Sequence, residues 1–208
     1  MNGVIVLQGG GPFVRNDTLD AEVLDGLGGY VAILPTADAF ENPELLIAES
    51  GNWAERIGVK VKACRLFTRS DASDSALIRV ISEAEALYIV GDSPMHLKST
   101  LIDTPALAAI RDLASNRIVV ATGGSAAALC DPMVDPRGGA YTLGLGLVGE
   151  MAIISESESW STERLARSRL LANVTVAELP TGAALVHRQH EWRCYGNVIV
   201  HGELPTMD

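Results

Sequence analysis

The feature that most constrains the fold is a unit repeated through the first 130 residues. A short apolar run ends in a glycine or proline loop, and a segment with helical spacing then follows. The runs are Val4–Leu7, Tyr30–Leu34, Ala86–Val90 and Ile118–Thr122. Runs of this length and composition are typical of buried parallel strands. Their alternation with helices predicts an α/β fold, a doubly wound and mostly parallel sheet with helices on both faces.

Local signals place several element boundaries. Asn42–Pro43 predicts a helix start, and that helix should continue to Ile57 because Gly58 follows as a stop. Thr104–Pro105 carries the same start signature. Apolar and lysine residues alternate over Val59–Ala63, which predicts a half-exposed strand near an edge of the sheet.

The C-terminal third is less regular. Trp192–Tyr195 and Val198–Val200 are separated by Gly196–Asn197, which predicts a small C-terminal β-hairpin. No internal repeat, linker or low-complexity run divides the sequence. We therefore expect a single domain over residues 1–208.

Charge and cysteine content exclude several classes of function. The formal net charge is −10 and no Lys/Arg-rich run is present, which argues against a nucleic-acid partner. No apolar segment reaches the roughly 20 residues of a membrane span, and the N-terminus has no signal-peptide pattern. The three cysteines, Cys64, Cys130 and Cys194, form no metal-binding spacing. We expect a cytoplasmic protein without metal or cofactor.

The candidate functional site centres on Ser125. This serine follows Gly123–Gly124 at the end of an apolar run, and small residues from Ala126 onward suit a helix. Strand, tight turn, serine and helix predict a nucleophile elbow, although the last position of Gly-x-Ser-x-Gly is alanine here. A serine in this context is also typical of a turn or helix cap.

The other loops favour the site interpretation. Loops at Gly9–Pro12, Pro35–Asp38 and Gly91–Pro94 all follow strands, as the Gly123–Ser125 loop does. Ligands of parallel sheets bind beyond the carboxyl ends of the strands, where these loops should meet. Backbone N–H groups of the first loop, near Gly10, suit an anion or a reacting carbonyl.

Five segments, in order and spacing, resemble one family. They are Val31–Ala37, Tyr88–Asp92, Thr122–Ala127, Gly144–Leu147 and Thr181–Val186. Together they resemble the serine peptidases that include cyanophycinase and aspartyl dipeptidase (peptidase E), whose fold is similar to that of the class I glutamine amidotransferases. The resemblance spans residues 4–200. It implies acyl-enzyme hydrolysis of peptide bonds beside acidic residues, and it suggests a homodimer.

The resemblance also implies roles for single residues. The nucleophile falls on Ser125, and the oxyanion hole falls on the N–H of Ala126 and on the loop of Gly91 and Asp92. The sequence departs from the family at two positions. Glu156, or less favourably Ser159, stands at the position of the histidine, and Thr181 stands at that of the third acid.

These departures leave two functions open. A serine without a base is a weak nucleophile, and loss of a triad member leaves only a residual rate enhancement of about 10³–10⁴-fold. The protein is either a hydrolase acting through Ser125, with Glu156 accepting the proton, or an inactive homologue. The inactive homologue would bind a small acidic peptide or acidic small molecule in the same pocket.

Four further side chains have alternative roles. His96 follows the Gly91 loop and is either a substitute base or a helix residue directed elsewhere. Arg137 pairs either with a substrate carboxylate or with an acid of its own loop. His187 and His190 suggest a metal site, but a surface turn is the favoured interpretation.

Overall fold

The computed structural model describes residues 3–207. The strands in this range are β1 (Val4–Gln8), β2 (Val31–Leu34), β3 (Val61–Ala63), β4 (Ala86–Ile89), β5 (Ile118–Thr122), β6 (Cys130–Asp131), β7 (Met133–Val134), β8 (Tyr141–Thr142), β9 (Val148–Gly149), β10 (Met151–Ser155), β11 (Thr175–Leu179), β12 (Ala184–Arg188), β13 (Glu191–Tyr195) and β14 (Ile199–His201). The helices are α1 (Asp17–Val23), α2 (Pro43–Ile57), α3 (Ser75–Ser82), α4 (Pro94–Leu101), α5 (Pro105–Asn116), α6 (Gly124–Leu129) and α7 (Thr162–Leu171).

A seven-stranded sheet forms the centre of the fold, in the order β13-β12-β1-β5-β4-β2-β3. The five strands from β1 to β3 in this order run parallel, and β12 and β13 are antiparallel additions. The predicted edge strand is β3, which is bordered on one side only. The prediction of a doubly wound, mostly parallel α/β sheet is confirmed.

Helices cover both faces of this sheet. On one face, Ile81 of α3, Leu97 of α4 and Ile110 of α5 are buried in a large apolar cluster. On the other face, α1 and α2 contribute Leu19 and Trp53 to a second cluster. The central strands are buried on both sides, which explains why their sequences are apolar without alternation.

The predicted helix boundaries at α2 and α5 are confirmed. The side chain of Asn42 accepts a hydrogen bond from the Leu45 N–H, and Thr104 caps α5 in the same way. Gly58 ends α2 in the left-handed conformation, at φ 78°.

The predicted pairing of the C-terminal hairpin is wrong. Residues 191–195 form β13, but they pair with β12 across a turn at Gln189 and His190. Both turn residues have positive φ, as a tight hairpin requires. β14 instead joins β11 in a separate three-stranded sheet of order β10-β11-β14. Two short strands on either side of a glycine carry no information about which sheet each one joins.

Among residues 3–207, no helix is both long and apolar enough to cross a membrane.

Candidate functional site

The turn that ends β5 is built on Gly123. Its backbone has φ 61° and ψ −133°, a conformation that L side chains rarely adopt, and α6 begins at the next residue. The Gly123 N–H donates to the carbonyl of Gln8 at 3.0 Å, which ties the turn to the end of β1. The strand-to-helix geometry of an elbow is therefore present, with glycine at the turning residue.

Ser125 lies two residues beyond this turn, and the predicted position of the elbow has to be corrected. The side chain is completely buried, and its Oγ donates to the carbonyl oxygen of Gly91 at 2.9 Å. The Ser125 N–H donates to the same carbonyl at 3.1 Å. The serine thus fastens α6 to the loop after β4. The sequence pattern did not reveal this offset, because either glycine of the pair can form the turn.

The N–H of Ala126 is also committed elsewhere. It donates to the carbonyl oxygen of Gly123 at 3.1 Å within the first turn of α6. It therefore differs from the free oxyanion donor that the resemblance implies. The N–H nearest an oxyanion position is that of Gly124, directly after the turn, and it lies near enough to the Asp92 carboxyl to lower the pKa of that group.

Asp92 fills the space in front of the turn. A Cβ atom added to Gly123 would lie 2.7 Å from Oδ1 of Asp92, and one added to Gly124 would lie 2.6 Å from the Asp92 carbonyl oxygen. Burial raises the pKa of the Asp92 carboxyl, the Gly124 N–H opposes this rise, and the Asp38 carboxylate adds to it. Two consecutive glycines are needed because the Asp92 segment lies against both.

Glu156 reaches the same region from the end of β10. It adopts the left-handed conformation, with φ 47° and ψ 42°, and its N–H donates to the carbonyl of Gly9 at 2.9 Å. Its side chain lies over Gly10, where an added Cβ would lie 2.7 Å from Cγ of Glu156. Burial, then the charges of Asp92 and Glu158, raise the pKa of the Glu156 carboxyl.

An open cavity of about 430 Å³ adjoins this region. Its lining residues are Ala37, Asp38, Glu41, Asp92 and Ser93. Three of these five carry carboxylates, and the charge of one of them, Asp92, also raises the pKa of Glu156. In the structure, Gly10, Gly91, Asp92 and Glu156 lie in one region. Asp38, from the loop after β2, and Glu41 also line the cavity there, and the sequence had not indicated Glu41. A cavity with this lining favours a cationic group over an anionic one.

The other predicted residues have different partners. His96 Nε2 lies 2.9 Å from the carbonyl oxygen of Phe67, and its ring packs edge-on against Phe40, with centroids 4.6 Å apart. The ring is thus held by neighbouring loops, which agrees with the second alternative, a helix residue directed elsewhere. Arg137 forms an ion pair with Asp135 at 3.1 Å, the loop salt bridge of the two alternatives.

Thr181 and the two histidines, His187 and His190, lie in separate parts of the structure. The Thr181 N–H donates to the carboxylate of Glu158, with both oxygens at 3.1 Å, so a carboxylate does contact this turn, although it comes from another loop. His187 is fully buried in β12, whereas His190 lies in the hairpin turn. Within residues 3–207, no three His, Cys, Asp or Glu side chains cluster as a metal site would require.

Comparison with known proteins identifies the class of fold. No protein-family model matches the chain. No curated protein matches it either. Solved structures do match over nearly the whole length, and those described below are peptidases. The resemblance to the peptidase E fold is therefore confirmed.

Two structures illustrate the similarity. A peptidase from an acI-B1 Actinobacterium superposes with a TM-score of 0.86 at 22% identity, covering 100% of this chain and 93% of the other. A candidate peptidase E protein from Listeria monocytogenes EGD-e gives a TM-score of 0.73 at 14% identity, with coverage of 94% and 98%. At these identities the similarity concerns the fold alone.

Proposed function

We propose that this protein is a non-hydrolytic member of the peptidase E-like fold that binds a small ligand beyond the carboxyl ends of its central strands. The observation that carries the proposal is the glycine at the turning residue. Gly123 has no side chain to attack a carbonyl, and the next serine along the chain, Ser125, is buried with its hydroxyl donated to the carbonyl oxygen of Gly91. Nucleophilic catalysis requires an accessible hydroxyl beside a base, and neither condition is met at Ser125.

The contacts of Asp92 support the same proposal. Its carboxylate lies close to the N–H of Gly124, the donor that would otherwise face a developing oxyanion. A negative charge at this point opposes the build-up of a second one. Glu156, in the position of the family's histidine, contributes another carboxylate to the same region.

The charges of the cavity indicate the chemistry of the ligand. Asp38, Glu41 and Asp92 line it, so a ligand with an amino or guanidinium group gains from the field there, whereas an acidic peptide meets like charges. We therefore propose that the ligand is a small peptide or metabolite with a cationic group. This changes the acidic ligand expected from the resemblance.

A fluorophosphonate probe tests the absence of a reactive serine. Intact-mass measurement should show no adduct on the wild type or on Ser125→Ala, while a serine hydrolase in the same tube is labelled. Asp-containing dipeptides should remain uncleaved. Stoichiometric labelling of the wild type that disappears in Ser125→Ala would establish a hydrolase and refute the proposal.

A second experiment tests ligand binding. The dipeptides Lys-Ala and Asp-Ala are titrated into isotope-labelled protein, and amide shifts are followed by NMR. Lys-Ala should shift the amides of the loops at residues 37–41 and 91–93, and Asp92→Asn should weaken this response severalfold. Glu55→Gln, on the exposed surface of α2, is the matched control that should leave it unchanged. A preference for Asp-Ala would overturn the charge argument.

A further inference from the structure

A second candidate site lies at the start of α7, away from the β5 turn. A cavity of about 310 Å³ opens there between the helix and the loop that follows β7. Its lining residues are Arg137, Gly138, Ser161, Glu163, Arg164 and Arg167. Three arginines around one cavity are unexpected in a chain with a formal net charge of −10. Arg137 is paired with Asp135, whose carboxyl pKa is lowered mainly by Arg137 and also by the charge of Arg164. Arg164 and Arg167 themselves form no ion pair within residues 3–207. Arg164 and Arg167 lie on one face of the helix, where like charges destabilise it slightly.

Arg164 has an unused pair of donors. Its guanidinium stacks on the indole of Trp160, with Cζ 3.5 Å from the ring centroid. Nε and Nη2 are buried and have no hydrogen-bond partner in the part of the chain that the structure describes. A buried donor without a partner is destabilising, so an acceptor placed beside these two nitrogens would be bound favourably.

The Nε and Nη2 donors of two other arginines show which kind of acceptor fits this pair of atoms. In Arg65, Nε and Nη2 donate to the two carboxylate oxygens of Glu44 at 2.9 and 2.8 Å. In Arg137, Nε and Nη2 donate to the two carboxylate oxygens of Asp135, both at 3.1 Å. Nε and Nη2 form a planar fork that matches two oxygens of one anion. Arg164 presents this fork without its oxyanion.

We propose that the cavity at the start of α7 binds an oxyanion, a carboxylate or a phosphate group of a small molecule, through the Nε and Nη2 donors of Arg164. Arg167 adds charge at the rim. Nε and Nη2 are closed off from solvent while the guanidinium is stacked on Trp160, so the proposed ligand binding includes a rotation of this group toward the cavity. The proposal is independent of the function assigned to the Asp92 cavity, since the two cavities have no lining residue in common.

Binding is measured with inorganic phosphate and with acetate, each titrated at constant ionic strength against chloride. The readouts are the Nε–H NMR signal of Arg164 and Trp fluorescence, assigned with Trp160→Phe. Phosphate, acetate or both should shift the Arg164 signal saturably. The anion that binds more tightly shows whether the natural ligand carries a phosphate or a carboxylate group. If neither produces a saturable shift, the proposal is overturned.

Variants distinguish binding through the paired donors of Arg164 from binding through positive charge alone. Arg164→Gln and Arg164→Lys should each weaken binding about tenfold or more, because lysine keeps the charge but loses the paired donors. Arg167→Gln should weaken binding severalfold without disturbing the Trp160 stack, and Glu163→Gln should tighten it. Arg193→Gln, on the exposed strand β13, is the control that should change nothing. Equal affinity in the wild type, Arg164→Lys and Arg167→Gln would refute the proposed site.

Discussion

Replacing Gly123 with alanine tests the geometry on which the proposed function depends. A side chain at φ 61° and ψ −133° strains the backbone by about 1–3 kcal/mol. The new Cβ would also lie 2.7 Å from Oδ1 of Asp92, so this carboxylate must rotate and release the Gly124 N–H. Loss of the favourable contact between this carboxylate and the N–H adds about 1 kcal/mol. We expect Gly123→Ala to lower the free energy of unfolding by about 2–4 kcal/mol.

The matched control is Gly51→Ala. Gly51 lies inside α2, and an added Cβ would meet no atom within 4 Å. The same substitution there should stabilise the protein by about 0.5–1 kcal/mol, because alanine is the better helix former. Urea unfolding, followed by tryptophan fluorescence, measures both variants. The two substitutions should therefore differ in sign as well as in size.

A double-mutant cycle isolates the contribution of Asp92. If the added Cβ at position 123 displaces the Asp92 carboxylate, Asp92→Ala should lower the free energy of unfolding less in the Gly123→Ala background than in the wild type. Gly123→Ala with the stability of the wild type, or with no coupling to Asp92, would refute the assignment of Gly123 as the turning residue.

Three other variants extend these tests. Ser125→Ala should lower the free energy of unfolding by about 0.5–1.5 kcal/mol, because it loses a buried hydrogen bond; an unchanged urea midpoint would contradict this. Burial raises the pKa of Asp20 from 3.8 to about 7, so the stability linked to its protonation is full below pH 3.8 and is lost as pH rises through about 7. The stability of the wild type relative to Asp20→Asn should accordingly fall by a few kcal/mol between pH 4 and pH 8, and a constant difference would refute the shift. Glu178→Gln should cost about 1–2 kcal/mol, because Arg169 and His201 lose their buried partner while remaining about one-third exposed, and thermal unfolding measures it.

The central sheet was predictable because each element carries its own signal. Buried parallel strands must be apolar on both faces, and helices between them need caps such as Asn42 and Thr104, so sequence pattern and structure coincide. The peptidase E-like fold followed from the order of these signals. The partners of β13 and β14 were not predictable, since strand pairing depends on distant residues.

At the candidate site, the sequence determined which loops meet and that glycines turn the chain after β5. Only the tertiary structure decided which glycine forms the turn. The choice depends on the Asp92 segment, which packs against Gly123 and Gly124 from a loop about thirty residues earlier, and on the Gly91 carbonyl that holds Ser125. A local pattern cannot encode this contact, because the free energy that fixes a one-residue register comes from packing between segments distant in sequence.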